Sequence, residues 1–548
     1  MAHCKLFVAA LILAFFFAPA ASQAQRLVWA RAGDTATLDP HEQNNGSTQA
    51  FNHQIYEPLL IRDARGKLRP ALATSWQLSE DPKFWIFHLR KNVTFHDGSP
   101  LTASDVIFSL ERAKNSSQDI RDRLDSIAAV IKLDPHTVQI ETKGRNPLLP
   151  IQLTDVFIMS AAWANTHSKV MLQAGGDPNV KRYATTHANG TGPFVLVKRT
   201  PGKETILKRN PGYWDTAPEI SELIYRVIPA PEDRVRALIS GEIDFLQDVP
   251  IKSFKMLSQS PNLTLKTGPE NRVIMLGLNT TSMRRHAPDA GRPNPLADRH
   301  VRHAIDIALD RRAIQRDVMQ GQSIPTGVPA PPTINGYPLK LDHVRQPDPA
   351  GARNLLAKAG YKSGFAISLD CPNHLYINSA KICHAIAKQL ETVGINVTVN
   401  LHAKAVHLPL IRNQQSDFFL LGWSVPTFDS VHIFRHLYRT KPPGVTTWNG
   451  TGFSNEIIDQ LIDSLDRETD HLKRDQTISD IWWRAHSERI YIPLHVETLA
   501  YAMRKGISID VDISDAPKLK FARIERAQGT PSIPKNQSAP SKNIPIPN

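Results

Sequence analysis

Cysteine is scarce. Three in 548 residues cannot build a disulfide scaffold, so the fold must rest on a hydrophobic core. Apolar runs long enough to cross a bilayer are missing: the longest, Leu6 to Ala18, falls short of the roughly 20 residues a spanning helix needs. Also missing are H-E-x-x-H, G-x-S-x-G, a Walker loop, G-x-G-x-x-G and an EF-hand loop, so nothing marks an enzyme and no cofactor is expected. Nor does one sign of charge dominate any stretch. The net charge of +13 arises from 65 basic residues scattered among 52 acids. Without a helix-turn-helix, zinc-finger or basic–aromatic motif, nucleic acid is not an expected partner.

What is present begins with an export signal. Lys5 precedes the apolar run, and Ser22 and Ala24 supply small residues at a cleavage point, so residues 1–24 are read as a removable signal peptide. Cys4 lies ahead of that run and cannot become a lipidated N-terminus. The mature chain is expected to be soluble and periplasmic. It retains Cys371 and Cys383, and an even pair in an exported protein predicts one disulfide. Closing so short a loop is worth about 2–3 kcal/mol. A metal site is the weaker reading of the two thiols, because C-x-x-C spacing is lacking.

At 41% apolar and 21% charged, the chain is globular, and its length calls for two or three packed lobes. Strands are predicted at 27–30, 84–89, 137–141, 194–198, 204–208 and 243–246, and alternation at Ile395, Val397, Val399 and Leu401 predicts another. Helices are predicted at 103–112, with Ser104 and Asp105 as cap and first-turn acid, and within 231–248, with Val235, Leu238 and Ile239 on one face. Two more are predicted at 301–319 and 380–393, each stopped by a glycine, Gly321 and Gly394. Repeated helix-to-strand alternation indicates mixed α/β lobes. From about Gln528 the chain is rich in Pro, Ser, Asn and Lys and is expected to be a disordered tail.

Five stretches carry a resemblance. They are Phe95-His96-Asp97-Gly98-Ser99-Pro100-Leu101-Thr102-Ala103-Ser104-Asp105-Val106; Gly190-Thr191-Gly192-Pro193-Phe194 with Arg209-Asn210-Pro211-Gly212-Tyr213-Trp214; Ser240-Gly241-Glu242-Ile243-Asp244; Asp298-Arg299-His300-Val301-Arg302 with Ala308-Leu309-Asp310-Arg311; and Cys371-Pro372-Asn373 with Ile382-Cys383. In this order they resemble family 5 of the bacterial extracellular solute-binding proteins, the dipeptide-, oligopeptide- and nickel-binding type that serves ABC importers. Physically, most are turn chemistry: Asp97-Gly98 and Pro100 precede a helix, and Gly190 and Gly192 permit backbone angles closed to other residues.

The resemblance implies an α/β periplasmic-binding-protein fold, two lobes hinged about a cleft, with an additional domain. The expected division is 25–62, 190–275 and 500–527 for lobe I, 63–189 for the additional domain, and 276–499 for lobe II. It implies capture of a small ligand, a peptide first and otherwise a metal chelate, opine or sugar, for delivery by a monomer to ABC permease subunits in the inner membrane. Candidate contacts are Trp423 as a cleft wall, with Asn44 and Asn373. Peptide-binding members carry an Asp three residues after this Trp, to pair with the peptide's amino group; here Pro426 stands there. Either Asp429 is the replacement, with a helix cap as its alternative role, or the ligand lacks a free amino terminus. His432 and His436, four residues apart, are weak metal candidates, and no other metal site is indicated.

Overall fold

A computed structural model describes residues 25–525 apart from 43–45, 64–65, 117, 168–182, 286–290, 443–446, 466–467 and 469. The expected signal peptide, Asn44 and the tail beyond residue 527 lie outside the described residues.

An 11-stranded mixed sheet runs through most of the chain. From one edge its order is Ile395–His402, Phe365–Pro372, Phe418–Ser424, Leu263–Leu278, Tyr491–Arg504, Phe245–Leu246, Arg26–Arg31, Glu222–Val227, Glu204–Arg209 and Phe194–Thr200, with Ser323–Pro325 branching onto Tyr491–Arg504. Leu263–Leu278 and Tyr491–Arg504 are long enough to belong to both ends. Leu263–Pro269 pairs with Arg504–Thr498, and Val273–Gly277 pairs with Val496–Tyr491. Between these stretches the register slips, and Glu270, Asn271 and Arg272 fall in the slip. Separate cores flank it. Val28, Ile224 and Leu238 pack on one side, and Val301, Ile305, Ile382 and Ile386 on the other.

A second, four-stranded antiparallel sheet orders Ala73–Leu78, Phe84–Leu89, Thr137–Thr142 and Ile127–Asp134, with its own core of Phe87, Val106, Leu110 and Ile140. The helix Ala103–Lys114 packs there. Its cap is Thr102, two residues earlier than the expected Ser104, because Asp105 reaches back to the Thr102 amide and closes a capping box. Glu57 binds the second motif into the fold. Buried, it accepts from Thr191 Oγ1 at 2.9 Å, Tyr213 Oη at 2.7 Å and Trp214 Nε1 at 2.7 Å.

Three local expectations are corrected. The helix predicted over 301–319 ends at Ala308: Leu309 turns extended, and Asp310 starts a new turn by accepting from the Ala313 amide. Ile239 is 56% exposed, because the buried stripe of Pro231–Ser240 runs through Arg234 and Leu238, Arg234 being held by the carbonyls of Ile228 and Pro229. Gly190 and Gly192 are needed for close approach rather than for unusual backbone angles, since a Cβ at either would collide with the Ile55 carbonyl. The predicted disulfide is present. Cys371 and Cys383, both fully buried with Cα atoms 6.7 Å apart, tie the strand Phe365–Pro372 to the helix Ser379–Glu391.

Candidate functional site

Two cavities lie beside the end of the strand Phe418–Ser424. Successive residues of a strand face opposite ways, and here Trp423 faces one cavity while Gly422 packs under Tyr376, a wall of the other.

The first cavity, about 320 Å³, is bounded by Arg123, Leu148 and Gln152 on one side and by Trp423, His432, Arg435, His436 and Trp448 on the other. The chain builds it in a few steps. The strand ends at Ser424, Pro426 cannot extend the ladder, and Phe428 turns at φ 50°. The short helix Ser430–Ile433 then widens into a π turn over Phe434–Tyr438, which brings His432 and His436 to one face, their ring centroids 4.4 Å apart. The Trp423 ring lies 5.4 Å from His432 and 5.5 Å from Trp448. Burial, reinforced by Arg435, lowers His436 to about 4; burial, then His436, Arg123 and Arg435, pushes His432 well down. Both rings are therefore neutral at pH 7. No carboxylate is among the described residues that line the cavity. Three buried polar atoms of its walls lack hydrogen-bond partners: Trp423 Nε1, Thr427 Oγ1 and His432 Nδ1. Each such orphan costs about 1–3 kcal/mol.

Asp429 is not among the residues that line this wall; it takes the alternative role, the helix cap. It is 3% exposed, caps Ser430–Ile433 by accepting from the Val431 amide at 2.9 Å, and forms an ion pair with Arg474 at 2.8 Å and a hydrogen bond from Asn335 at 3.1 Å. With those partners the carboxylate points into the protein. Asn373 is exposed and lines neither cavity; its amide donates to the His402 carbonyl at 2.8 Å, as the chain leaves the strand. Beyond the His432–His436 pair no carboxylate or thiol joins in: no group of three or more His, Cys, Asp or Glu suited to a metal occurs among the described residues.

The second cavity, about 450 Å³, sits at the register slip of the two long strands. Asp248, Glu270, Glu497 and Asp515 line it, against two guanidiniums, Arg31 and Arg272. Arg31 reaches Asp248 at 2.7 Å and Asp515 at 2.8 Å; Arg272 reaches Glu270 at 3.0 Å and Glu497 at 3.2 Å. Burial raises Glu270 to about 8, with Arg272 opposing and the charges of Glu497 and Asp515 adding. Burial raises Asp515 as well. The slip frees these side chains: Asn271 spends its groups on the carbonyls of Val425 and Ile513's strand-free segment, and Arg272 Nε donates to Ser424 Oγ at 3.0 Å. Gly46 and Ser47 also line this cavity. Glu270, Arg272 and Glu497 were not expected from the sequence; the available signal was charged residues set within long strands, Glu270 and Arg272 directly before the apolar run 273–276.

Known proteins resemble the chain along most of its length. The family model for bacterial extracellular solute-binding proteins, family 5 Middle, matches residues 67–444. The chain belongs to this family. The glutathione-binding protein GsiB of Escherichia coli is 26% identical over 517 residues, covering 92% of this chain and 96% of that protein. Among solved structures, AgaA of A. tumefaciens R10 in complex with agropinic acid has a TM-score of 0.73 at 25% identity, covering 92% of this chain and 99% of that one. DppA of Helicobacter pylori in complex with the peptide STSA has a TM-score of 0.74 at 22% identity, with the same coverage. The α/β binding-protein fold and the role that family members share, binding small solutes for ABC importers outside the cytoplasm, are thereby established. No helix among the described residues is long and apolar enough to cross a membrane.

Proposed function

We propose that this chain is a monomeric periplasmic receptor, without enzymatic activity, for a short zwitterionic solute, a small peptide, which it hands to the permease of an ABC importer. The observation that carries this reading is the opposite charge of the two cavities. One collects Arg435 and Arg123, the latter already paired with Asp155 at 2.9 Å, beside neutral histidines and no lining acid; the other sets four acids against two guanidiniums, Glu270 holding its proton until a cation enters. An ammonium group fits the second and a carboxylate the first, each gaining a charge-assisted bond where burial would otherwise penalise it. In this reading Glu270 takes the part that Pro426 cannot and Asp429 does not. Trp423 supplies the apolar wall, and volumes of about 320 and 450 Å³ suit a ligand of a few residues. The relative that binds glutathione, itself a short peptide, supports the same class.

The test is calorimetry with a panel of di- and tripeptides and their N-acetylated forms, chosen after mass spectrometry of the solute that co-purifies from periplasm. Free peptides should bind and acetylated ones should not. Equal binding of both forms would refute the ammonium site. A second reading, a metal chelate, rests on His432 and His436, whose neutral rings lie 4.4 Å apart in the first cavity. With two protein nitrogens only, most of the coordination sphere would come from the chelator. Binding of a nickel–histidine complex that is lost in His432→Ala, with no peptide bound, would establish that reading instead.

A further inference from the structure

Away from both cavities, a third pocket of about 440 Å³ opens among Asp306, Arg311, Lys340, Arg345, Trp483 and Arg489. It shares no lining residue with the other two. Its charge is unbalanced. Asp306, the one acid among the lining residues, is already bracketed by Arg311 and by Arg489 Nε at 3.2 Å. Lys340 and Arg345 line the same pocket and make no ion pair among the described residues. Four cations therefore face one carboxylate.

The construction is rigid on one side and open on the other. Arg311 is buried, its Nε donating to the Pro493 carbonyl at 2.6 Å, so its guanidinium cannot swing away. Arg489 ends the helix His471–Glu488 in a left-handed conformation, φ 50°, a strained geometry for a residue other than glycine or asparagine, which aims its side chain back at Asp306. Lys340 and Arg345 come from an exposed connection, and at the rim Trp483 is 54% and the neighbouring Leu339 74% exposed. His486, also lining the pocket, is lowered by burial and then by Arg489, with Arg345 and Arg311 adding to the same effect, so the positive charges act on a common space.

We propose that this pocket binds a phosphate-bearing anion, its oxygens held by Arg311, Arg345, Arg489 and Lys340 and its organic part resting against Trp483. A single carboxylate would leave most of the charge uncompensated, whereas a phosphate carries up to two charges and matches the planar fork of a guanidinium. The anion is either a free phosphate ester or the headgroup of an anionic phospholipid.

The experiment uses the whole mature chain. Inorganic pyrophosphate is titrated while tryptophan fluorescence is followed, and flotation is measured with vesicles of phosphatidylglycerol and, separately, of phosphatidylcholine. Lys340→Glu/Arg345→Glu reverses two exposed charges of the pocket, and Lys198→Glu/Lys208→Glu reverses two exposed charges elsewhere. Pyrophosphate binding weakened by about tenfold or more in the first double variant and unchanged in the second would assign a free anion. Phosphatidylglycerol binding with the same pattern, and none to phosphatidylcholine, would assign a headgroup. Binding to neither probe, or equal loss in the two double variants, would overturn the proposal. Unchanged solute affinity and melting temperature in the pocket variant keep the result separate from the solute site.

Discussion

The two cavities beside Trp423 meet the same physical problem with opposite chemistry. Burial disfavours charge wherever it occurs. In the Trp423 cavity the groups that give way are bases: His432 and His436 lose their protons and leave Arg123 and Arg435 as the charges. At the strand crossover the group that gives way is an acid, Glu270, which keeps its proton to about pH 8. The difference predicts unequal responses to pH. The histidine pair titrates too low to matter between pH 5 and 8, whereas Glu270 titrates at the upper end of that range. An ammonium entering the crossover cavity should expel the Glu270 proton; a carboxylate entering the other should move no proton.

The largest effect is expected at Trp423. Truncating an aromatic that forms the wall of a small cavity costs about 2–4 kcal/mol, roughly 30- to 1,000-fold in affinity. Trp423→Ala should lose that much equally at pH 5.5 and pH 7.5, because nothing in its cavity titrates between them. A folded Trp423→Ala protein that binds the co-purifying solute normally would remove this cavity from the site.

A smaller and pH-dependent effect belongs to Glu270. Glu270→Gln should weaken a cationic solute by about tenfold, equivalent to about 1.4 kcal/mol. Its signature is proton release. At pH 7 wild-type Glu270 is protonated, and calorimetry in two buffers of different ionisation enthalpy should detect a proton released on binding, absent in the variant. Stability provides an independent check. The folded-state value lies above the ordinary carboxyl value near 4.3, so the contribution is complete at low pH and is lost as pH rises towards 8. The melting temperature of Glu270→Gln relative to wild type should therefore improve between pH 5 and pH 8. A constant difference would mean that Glu270 titrates normally.

The sequence reached some of this and not the rest, for reasons that residues make plain. Trp423 was legible through the family resemblance of its stretch, not through local chemistry, and it lines a cavity; the disulfide was legible because Cys371 and Cys383 are the only two thiols after the apolar run. Strand limits such as Phe84–Leu89 and the glycine stop Gly394 followed from local chemistry. The crossover charges depend on pairing between strands distant in sequence, which brings Glu270, Arg272 and Glu497 together, and no local pattern reports that register. Helix 301–319 failed for a local reason: its apolar spacing continued across Asp310, but capping by that residue won.

The smallest effect on affinity is expected at Asp429, where the comparison is sharpest. Both Asp429 and Glu270 are buried carboxylates paired with an arginine, and only the surroundings separate them. Asp429 satisfies Arg474, the Val431 amide and Asn335, all within its own packing unit, and lines neither cavity. Asn caps a helix about as well as Asp, so Asp429→Asn retains the amide contact and loses the charge. Arg474 is then left buried without a carboxylate, at a cost of about 1–3 kcal/mol in stability. The expected result is a lower melting temperature with solute affinity unchanged. The opposite pattern, normal melting with weakened binding of a cationic solute, would return Asp429 to the site and make Glu270 redundant as the ammonium partner.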